Sequence, residues 1–228
     1  RPGDHVITSA VDHNSVLRPL RFLEENRGVE VTRVPCSSAG IVDPDSFRQA
    51  LRPNTRLIAL VHASNVTGAI QPVADVGRIA EEHGVFYLVD AAQSLGHFPI
   101  DVRQIGAHLL AAPAHKGLMG PSGMGVLYLA AGVERQMIPL RQGGTGTQSD
   151  DDRQPESLPD KYEPGNLNLP AVVGLAAAMD YLEQRGLDEI RQHDLDLTAR
   201  LLDGFSTIRG VTVYGPRDAA RQVGVVSI

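Results

Sequence analysis

Pro72-Val73-Ala74-Asp75-Val76-Gly77-Arg78-Ile79-Ala80-Glu81-Glu82-His83-Gly84-Val85-Phe86-Tyr87-Leu88-Val89-Asp90 is the stretch that decides the fold. Proline opens it. Val73, Val76, Ile79 and Ala80 then recur at helical spacing until Gly84, which predicts an amphipathic helix. Val85 to Val89 follows as an unbroken apolar run, the pattern of a strand covered on both faces. Asp90 stands where that strand ends.

The same grammar repeats on both sides. Upstream, Leu57 to Val61 is a second continuous apolar run, and Asp43-Pro44 opens a short helix reaching about Leu51. Val29 to Val34 alternates until Pro35, as a strand with one polar face does. Residues Asp12 to Ser15 offer caps for a helix carrying Val16, Leu17, Leu20 and Leu23, which Gly28 stops. His5 to Thr8 reads as the first strand. Downstream, Ala107 to Ala112 and Gly125 to Leu129 read as two more strands. Alternation of this kind predicts an α/β domain, a three-layer sandwich around a mostly parallel sheet.

The character changes after about residue 141. Gly143-Gly144-Thr145-Gly146-Thr147 leads into the acidic Ser149 to Arg153 segment, and three prolines follow between Pro155 and Pro164; the whole reads as a mobile loop. Two helices come next, one opened by Pro170 and closed by Gly186, the other carrying Ile190, Leu197, Leu201 and Phe205 on one face. Gly210 to Gly215 and Val223 to Ile228 read as the first strands of a second domain. The expected division is a large domain over residues 1–165, then linking helices and the beginning of a small α+β domain over residues 166–228. A chain that opens on Arg1 without Met and stops on a strand reads as a piece of something longer, with part of the large domain preceding it.

Composition narrows the function classes. A net charge of -6 over 228 residues argues against a nucleic-acid surface. No apolar run has the length of a membrane span. The single cysteine allows no internal disulfide and fits a reducing, cytoplasmic compartment. The eight histidines show no metal-ligand spacing, so no metal is expected.

Open parallel sheets bind ligands at the carboxyl ends of their strands. Three polar clusters are predicted there: Ser64-Asn65-Val66-Thr67-Gly68, Asp90-Ala91-Ala92-Gln93-Ser94, and the loop Pro113-Ala114-His115-Lys116-Gly117. A carboxylate at the mouth of a low-dielectric sheet needs a cationic or hydrogen-bonding partner. A lysine in the neighbouring loop supplies an amine. Together they match the needs of pyridoxal phosphate (PLP), a lysine for the aldehyde and an acid for the ring nitrogen. Taken alone, the pair reads equally well as a strand-end cap and a solvated loop lysine. By themselves, His13 reads as a helix-start residue, His115 as a loop histidine and Asn65 as a turn residue.

Four ordered motifs add a resemblance. Val89-Asp90-Ala91-Ala92-Gln93-Ser94, Ser64-Asn65-Val66-Thr67-Gly68, Ala114-His115-Lys116-Gly117 with Gly120-Pro121-Ser122-Gly123-Met124-Gly125, and Glu163-Pro164-Gly165-Asn166-Leu167-Asn168 resemble the motif set of class V aminotransferases. The branch they are most similar to is the cysteine desulfurases and selenocysteine lyases. The resemblance implies a PLP enzyme acting on an amino acid, foremost removal of sulfur from cysteine to leave alanine. Transamination, another PLP lyase or epimerase reaction, or a non-catalytic dimer of the same fold are its alternatives. It implies roles for Lys116 as the cofactor-holding lysine and proton carrier, Asp90 for the ring nitrogen, Gln93 for the phenolic oxygen, and Asn65 for that oxygen side or the substrate carboxylate. His13 would stack on the ring and assist proton transfer, and His115 would contact the phosphate. Thr145 and Asn166 would serve a site shared across a homodimer, with a sulfur-acceptor protein as a further partner.

Two positions depart from the family pattern. Pro113 stands where a phosphate-binding serine is usual, and proline has neither a hydroxyl nor a backbone donor. Asn166 stands where threonine is usual. The family's N-terminal phosphate-binding turn, its C-terminal carboxylate-binding arginine and the desulfurase cysteine have no match among these residues. Cys36 lies too early to be that cysteine and reads as a structural or incidental thiol.

Overall fold

A computed structural model describes residues 1–228. Its centre is a six-stranded sheet of β1 (His5–Ser9), β2 (Glu30–Val34), β3 (Thr55–Val61), β4 (Phe86–Asp90), β5 (Leu109–Pro113) and β6 (Gly125–Leu129), in the order β2-β1-β3-β4-β5-β6. The first five are mutually parallel, and β6 closes the edge antiparallel to β5. This is the mostly parallel α/β sheet that the alternating pattern predicts.

Strand parity sorts the side chains. On one face, Ile7, Ile58, Leu60, Tyr87, Val89 and Leu110 are buried under α2 (Pro44–Ala50), α3 (Val73–Glu82) and α4 (Val102–Ile105). The helices contribute Phe47, Val76, Ala80 and Ile105 to the same cluster. Tyr87 is fully buried, and its hydroxyl donates to the Val73 carbonyl at 3.0 Å, pinning α3 to β4. Gly77 is required where α3 meets the end of α4, because a Cβ there would lie 1.8 Å from the Ile105 oxygen. On the other face, α1 (Asn14–Arg27) covers the β1–β2–β3 half, with Leu20 packed on Val6 and Val29. Beyond α1 the faces of β4, β5 and β6 are left to line a cleft.

Helix α5 (Leu169–Arg185) packs its first half against the loop after β5, where Gly174 faces Pro121 and Leu175 faces Gly120. Gly186 then reverses the chain into α6 (Leu187–Ser206). The predicted helices stand within one or two residues of their expected ends, and Gly28 caps α1 in the left-handed region at φ 64°. Three readings change. The four-residue α4 carries no periodicity to read. The strand expected over Ala107 to Ala112 forms over Leu109–Pro113, because Ala107 is spent on closing α4 through a bond to the Val102 carbonyl. The strands expected near Gly210 to Gly215 and Val223 to Ile228 reduce to one antiparallel bridge, Tyr214 to Ser227. Their backbone is taken up elsewhere. Val223 N–H donates to Gly68 O at 2.9 Å, and Ile70 N–H donates to Arg221 O at 2.9 Å, so this segment lies on the Ser64–Gly68 loop.

Candidate active site

Parity and register together build the site. Asp90, two residues on from Leu88, faces the same side of the sheet. Asp90 pairs with Ala111, Ala111 with Leu127, and Pro113 with Gly125. These positions therefore share the face that α1 leaves open. They line a cleft of about 640 Å³, into which the start of α1 brings His13 and the β5–β6 loop brings His115 and Lys116. Four of the eight sequence-picked residues, His13, Asp90, His115 and Lys116, thus meet in one cavity. Its walls are otherwise mainly apolar, with Leu88, Ala112 and Val126 among them.

Asp90 is 9% exposed. Its Oδ1 accepts the Ala92 N–H at 2.9 Å, which fixes the carboxylate at the strand end. Its Oδ2 has no partner within the chain. Lys116 is half-buried, with no ion-pair partner for its ammonium. A carboxylate and an amine that each lack a counter-ion, in a largely apolar cleft, leave the electrostatics incomplete until a polar molecule enters. A protonated ring nitrogen opposite Asp90 and a carbonyl carbon at Lys116 satisfy both, so these residues fit the ring end of PLP.

His13 is the N-cap of α1. Its Nδ1 accepts the Ser15 N–H at 3.1 Å, which assigns the proton of the neutral ring to Nε2, the edge left without a partner. The residue before it does the anchoring. Asp12 is buried and accepts from Thr8 Oγ1 (2.8 Å), Ser9 N (2.7 Å), Ser9 Oγ (2.7 Å) and Val61 N (2.6 Å). Burial raises its carboxyl above the usual range, while its four donors pull the other way. Sequence reading missed Asp12. The available signal was an acid set just beyond Thr8-Ser9, with a cap position between it and the helix.

His62 was also missed. It follows β3, is 6% exposed, and donates its backbone N–H to the Asp90 carbonyl at 2.8 Å. Phe98 meets its ring edge-on at 5.3 Å. Its Nδ1 is buried without a partner, and burial lowers its pKa to about 4.

The other sequence-picked residues lie outside the cleft. Gln93 is half-buried in the turn after Asp90, and Asn65 is half-buried in the turn after β3. Thr145 belongs to a polar hollow of about 340 Å³, its hydroxyl bonded to Thr147 O at 3.1 Å. Asn166 is exposed. Gly165 N–H donates to Gly144 O at 2.7 Å, so the Thr145 and Asn166 loops do meet each other. Buried Lys161 holds this region, donating to Glu134 O at 2.8 Å and Glu156 at 2.6 Å. Cys36 is exposed and no part of the cleft. No three His, Cys, Asp or Glu side chains come together as a metal-ligand set.

The family model for class-V aminotransferases matches residues 1–228. The chain belongs to the class-V aminotransferases. Among the members it is similar to is a probable cysteine desulfurase of Methanothermobacter thermautotrophicus, 41% identical over all of this chain and 56% of the relative. A probable cysteine desulfurase of Halalkalibacterium halodurans is 36% identical over 96% of this chain and 54% of its own length. Of solved structures, the apo cysteine desulfurase of Thermococcus onnurineus superposes with a TM-score of 0.90 at 33% identity, covering 99% of this chain and 56% of that one. The Escherichia coli cysteine desulfurase CsdA follows at 0.86 and 30%, covering 96% and 55%. The chain thus spans a little over half the length of these class-V relatives. No helix of this member is long and apolar enough to cross a membrane.

Proposed function

We propose that this chain is the greater part of the large domain of a PLP-dependent cysteine desulfurase, with residues 166–228 leading into a small domain. The observation that carries the reading is Asp90 Oδ2 and Lys116 Nζ, both without counter-ions, in one apolar cleft of a class-V aminotransferase. The names of its relatives select desulfuration over transamination.

In this reading Asp90 would hold the protonated ring nitrogen, an attraction that the low-dielectric walls of the cleft strengthen. Bound PLP supplies an electron sink that lowers the cost of breaking a bond at the substrate Cα. Lys116 would hold the cofactor aldehyde, and its Nζ would take the proton from the substrate Cα. His13 presents its ring with Nε2–H outward, suited to lie over an aromatic face and to hold a proton near the reacting atoms. Gln93, in the turn beside the cleft, would serve the phenolic oxygen, and Asn65 that oxygen or the substrate carboxylate. Pro113 offers the phosphate nothing, so His115 contacts it, assisted by Thr145 and Asn166 of a second copy in a homodimer. Cys36 is away from the cleft and is not assigned the sulfur, which passes to an acceptor protein in a reducing cytoplasm.

The test is a purified intact protein reconstituted with PLP. It should show a visible cofactor band that Lys116→Ala abolishes and, with an added dithiol that reduces the released sulfur, give alanine and sulfide from cysteine in equal amounts. No band in the wild type sinks the cofactor assignment; a band without sulfide turns the reading to transamination.

A further inference from the structure

The lysine loop is gripped from behind. Gly96 and Gly117 are face to face: a Cβ on Gly96 would lie 2.2 Å from Gly117 O, and one on Gly117 would lie 2.3 Å from Leu95 O. Gly96 also holds φ 90°, a conformation that only glycine adopts without strain. The loop carrying Lys116 therefore rests on the Leu95–His97 turn. The ring of His97 closes the contact, its Cδ2 2.7 Å from a Cβ built on Gly117.

The other side of that ring belongs to α6. His97 Nδ1–H donates to Asp194 Oδ2 at 2.9 Å, across 97 residues of sequence. One turn earlier on the same helix, the Arg191 guanidinium stands 5.2 Å from the Phe98 ring. It also donates to the carbonyls of Gln222 and Ala220, both at 3.1 Å. Around the His97–Asp194 pair, Gly117, Met119 and Tyr181 border a hollow of about 380 Å³. On this side the lysine loop is thus backed by open space and one polar tie, where a packed core would otherwise hold it.

We propose that the His97–Asp194 pair is the positioning device for Lys116. Asp194 fixes the imidazole, the imidazole seats Gly117, and Gly117 sets the direction from which its neighbour enters the cleft. Neither residue lines the cleft, so both act through the backbone of the loop. Any displacement of α6 is then felt at Lys116. The importance of the pair rests on Lys116 being the cofactor lysine, but the tie itself is independent of cofactor.

Hydrogen exchange on the intact protein without cofactor tests it. The Met119 and Gly120 amides donate to Lys116 O and Ala114 O, both at 2.8 Å, and report whether the loop is closed. Asp194→Ala is expected to speed exchange across residues 114–120 about tenfold, the size of one charge-assisted hydrogen bond. His97→Ala should do the same, and the double variant no more than either. Asp194→Asn keeps an acceptor for Nδ1–H and should stay within about threefold of wild type. Thr198→Ala, buried on the same helix, should lower overall stability and leave the loop rate relative to that of α6 unchanged. Wild-type loop exchange in Asp194→Ala overturns the proposal, as does full additivity in the double variant. In a parallel PLP titration monitored by fluorescence, the two alanine variants should lose affinity. If the loop responds while wild type binds no PLP, the cofactor reading has failed and the positioning role stands.

Discussion

Replacing His62 with leucine should make this protein less sensitive to acid. The imidazole is 6% exposed, its Nδ1 has no partner, and burial holds its pKa at about 4. An unfolded histidine titrates near 6.5. A depressed folded pKa means that the unfolded chain takes up the proton first as pH falls, so stability is lost from about pH 6.5 downward, until the folded state too is protonated near pH 4. Taking those two values, His62 alone costs the folded state about 2 kcal/mol between pH 7 and pH 5. His62→Leu removes that term together with an unsatisfied buried nitrogen, and it keeps an apolar contact for Phe98. Urea unfolding of both proteins at the two pH values measures it. The difference in stability should move by about 2 kcal/mol in favour of the variant on going to pH 5, the other histidines cancelling in the comparison. Parallel pH profiles would refute the reasoning and imply that the protonated ring finds a hydrogen-bond acceptor in the fold.

Asp12→Ala should cost about 3 kcal/mol in a chemical denaturation experiment, because the Ser9 and Val61 N–H groups are both left buried without an acceptor. Gly77→Ala should fail to reach the native fold or lose more than about 3 kcal/mol, since the Ile105 carbonyl has no room to retreat between α3 and α4; its thermal midpoint checks this. Lys161→Met should leave the sheet intact and speed limited proteolysis between residues 150 and 165, because both of its tethers go. Asp90→Asn should weaken PLP binding by about tenfold or more in a fluorescence titration, and leave the fold's thermal midpoint within a few degrees.

The mostly parallel α/β sheet was legible because its signals were redundant. Leu57 to Val61 and Val85 to Val89 are apolar without interruption, and only a strand covered on both faces needs that. The convergence of Asp90, His115 and Lys116 followed from strand ends, since parallel topology sends every strand's carboxyl end to one rim. His13 became legible through the resemblance, as its own local reading was a cap. The terminal strands were harder for one physical reason. A loop or a short extended segment takes its conformation from whatever covers it, and residues Tyr214 and Ser227 have only each other to pair with. Asp12 and His62 were hidden because burial of a single polar residue depends on distant partners. Gly77 was visible as an oddity inside a good helix, but the carbonyl that explains it lies in another element.

The order β2-β1-β3 has a kinetic consequence. β1 must wait for the segment that will lie on its far side, because the Val61 amide that clasps Asp12 is 49 residues further along. Asp90 and the lysine hairpin come together from adjacent strands, whereas α1 and His13 reach the cleft only when β1 docks beside β3. Non-local parallel pairings of this kind form slowly. During synthesis β1, α1 and β3 emerge before β4 and β5, so an unfinished chain presents the His13 wall with no floor and no lysine opposite it. A small molecule that needs both sides is captured only after the sheet has closed ranks, so its retention would serve as a clock for the last stage of folding.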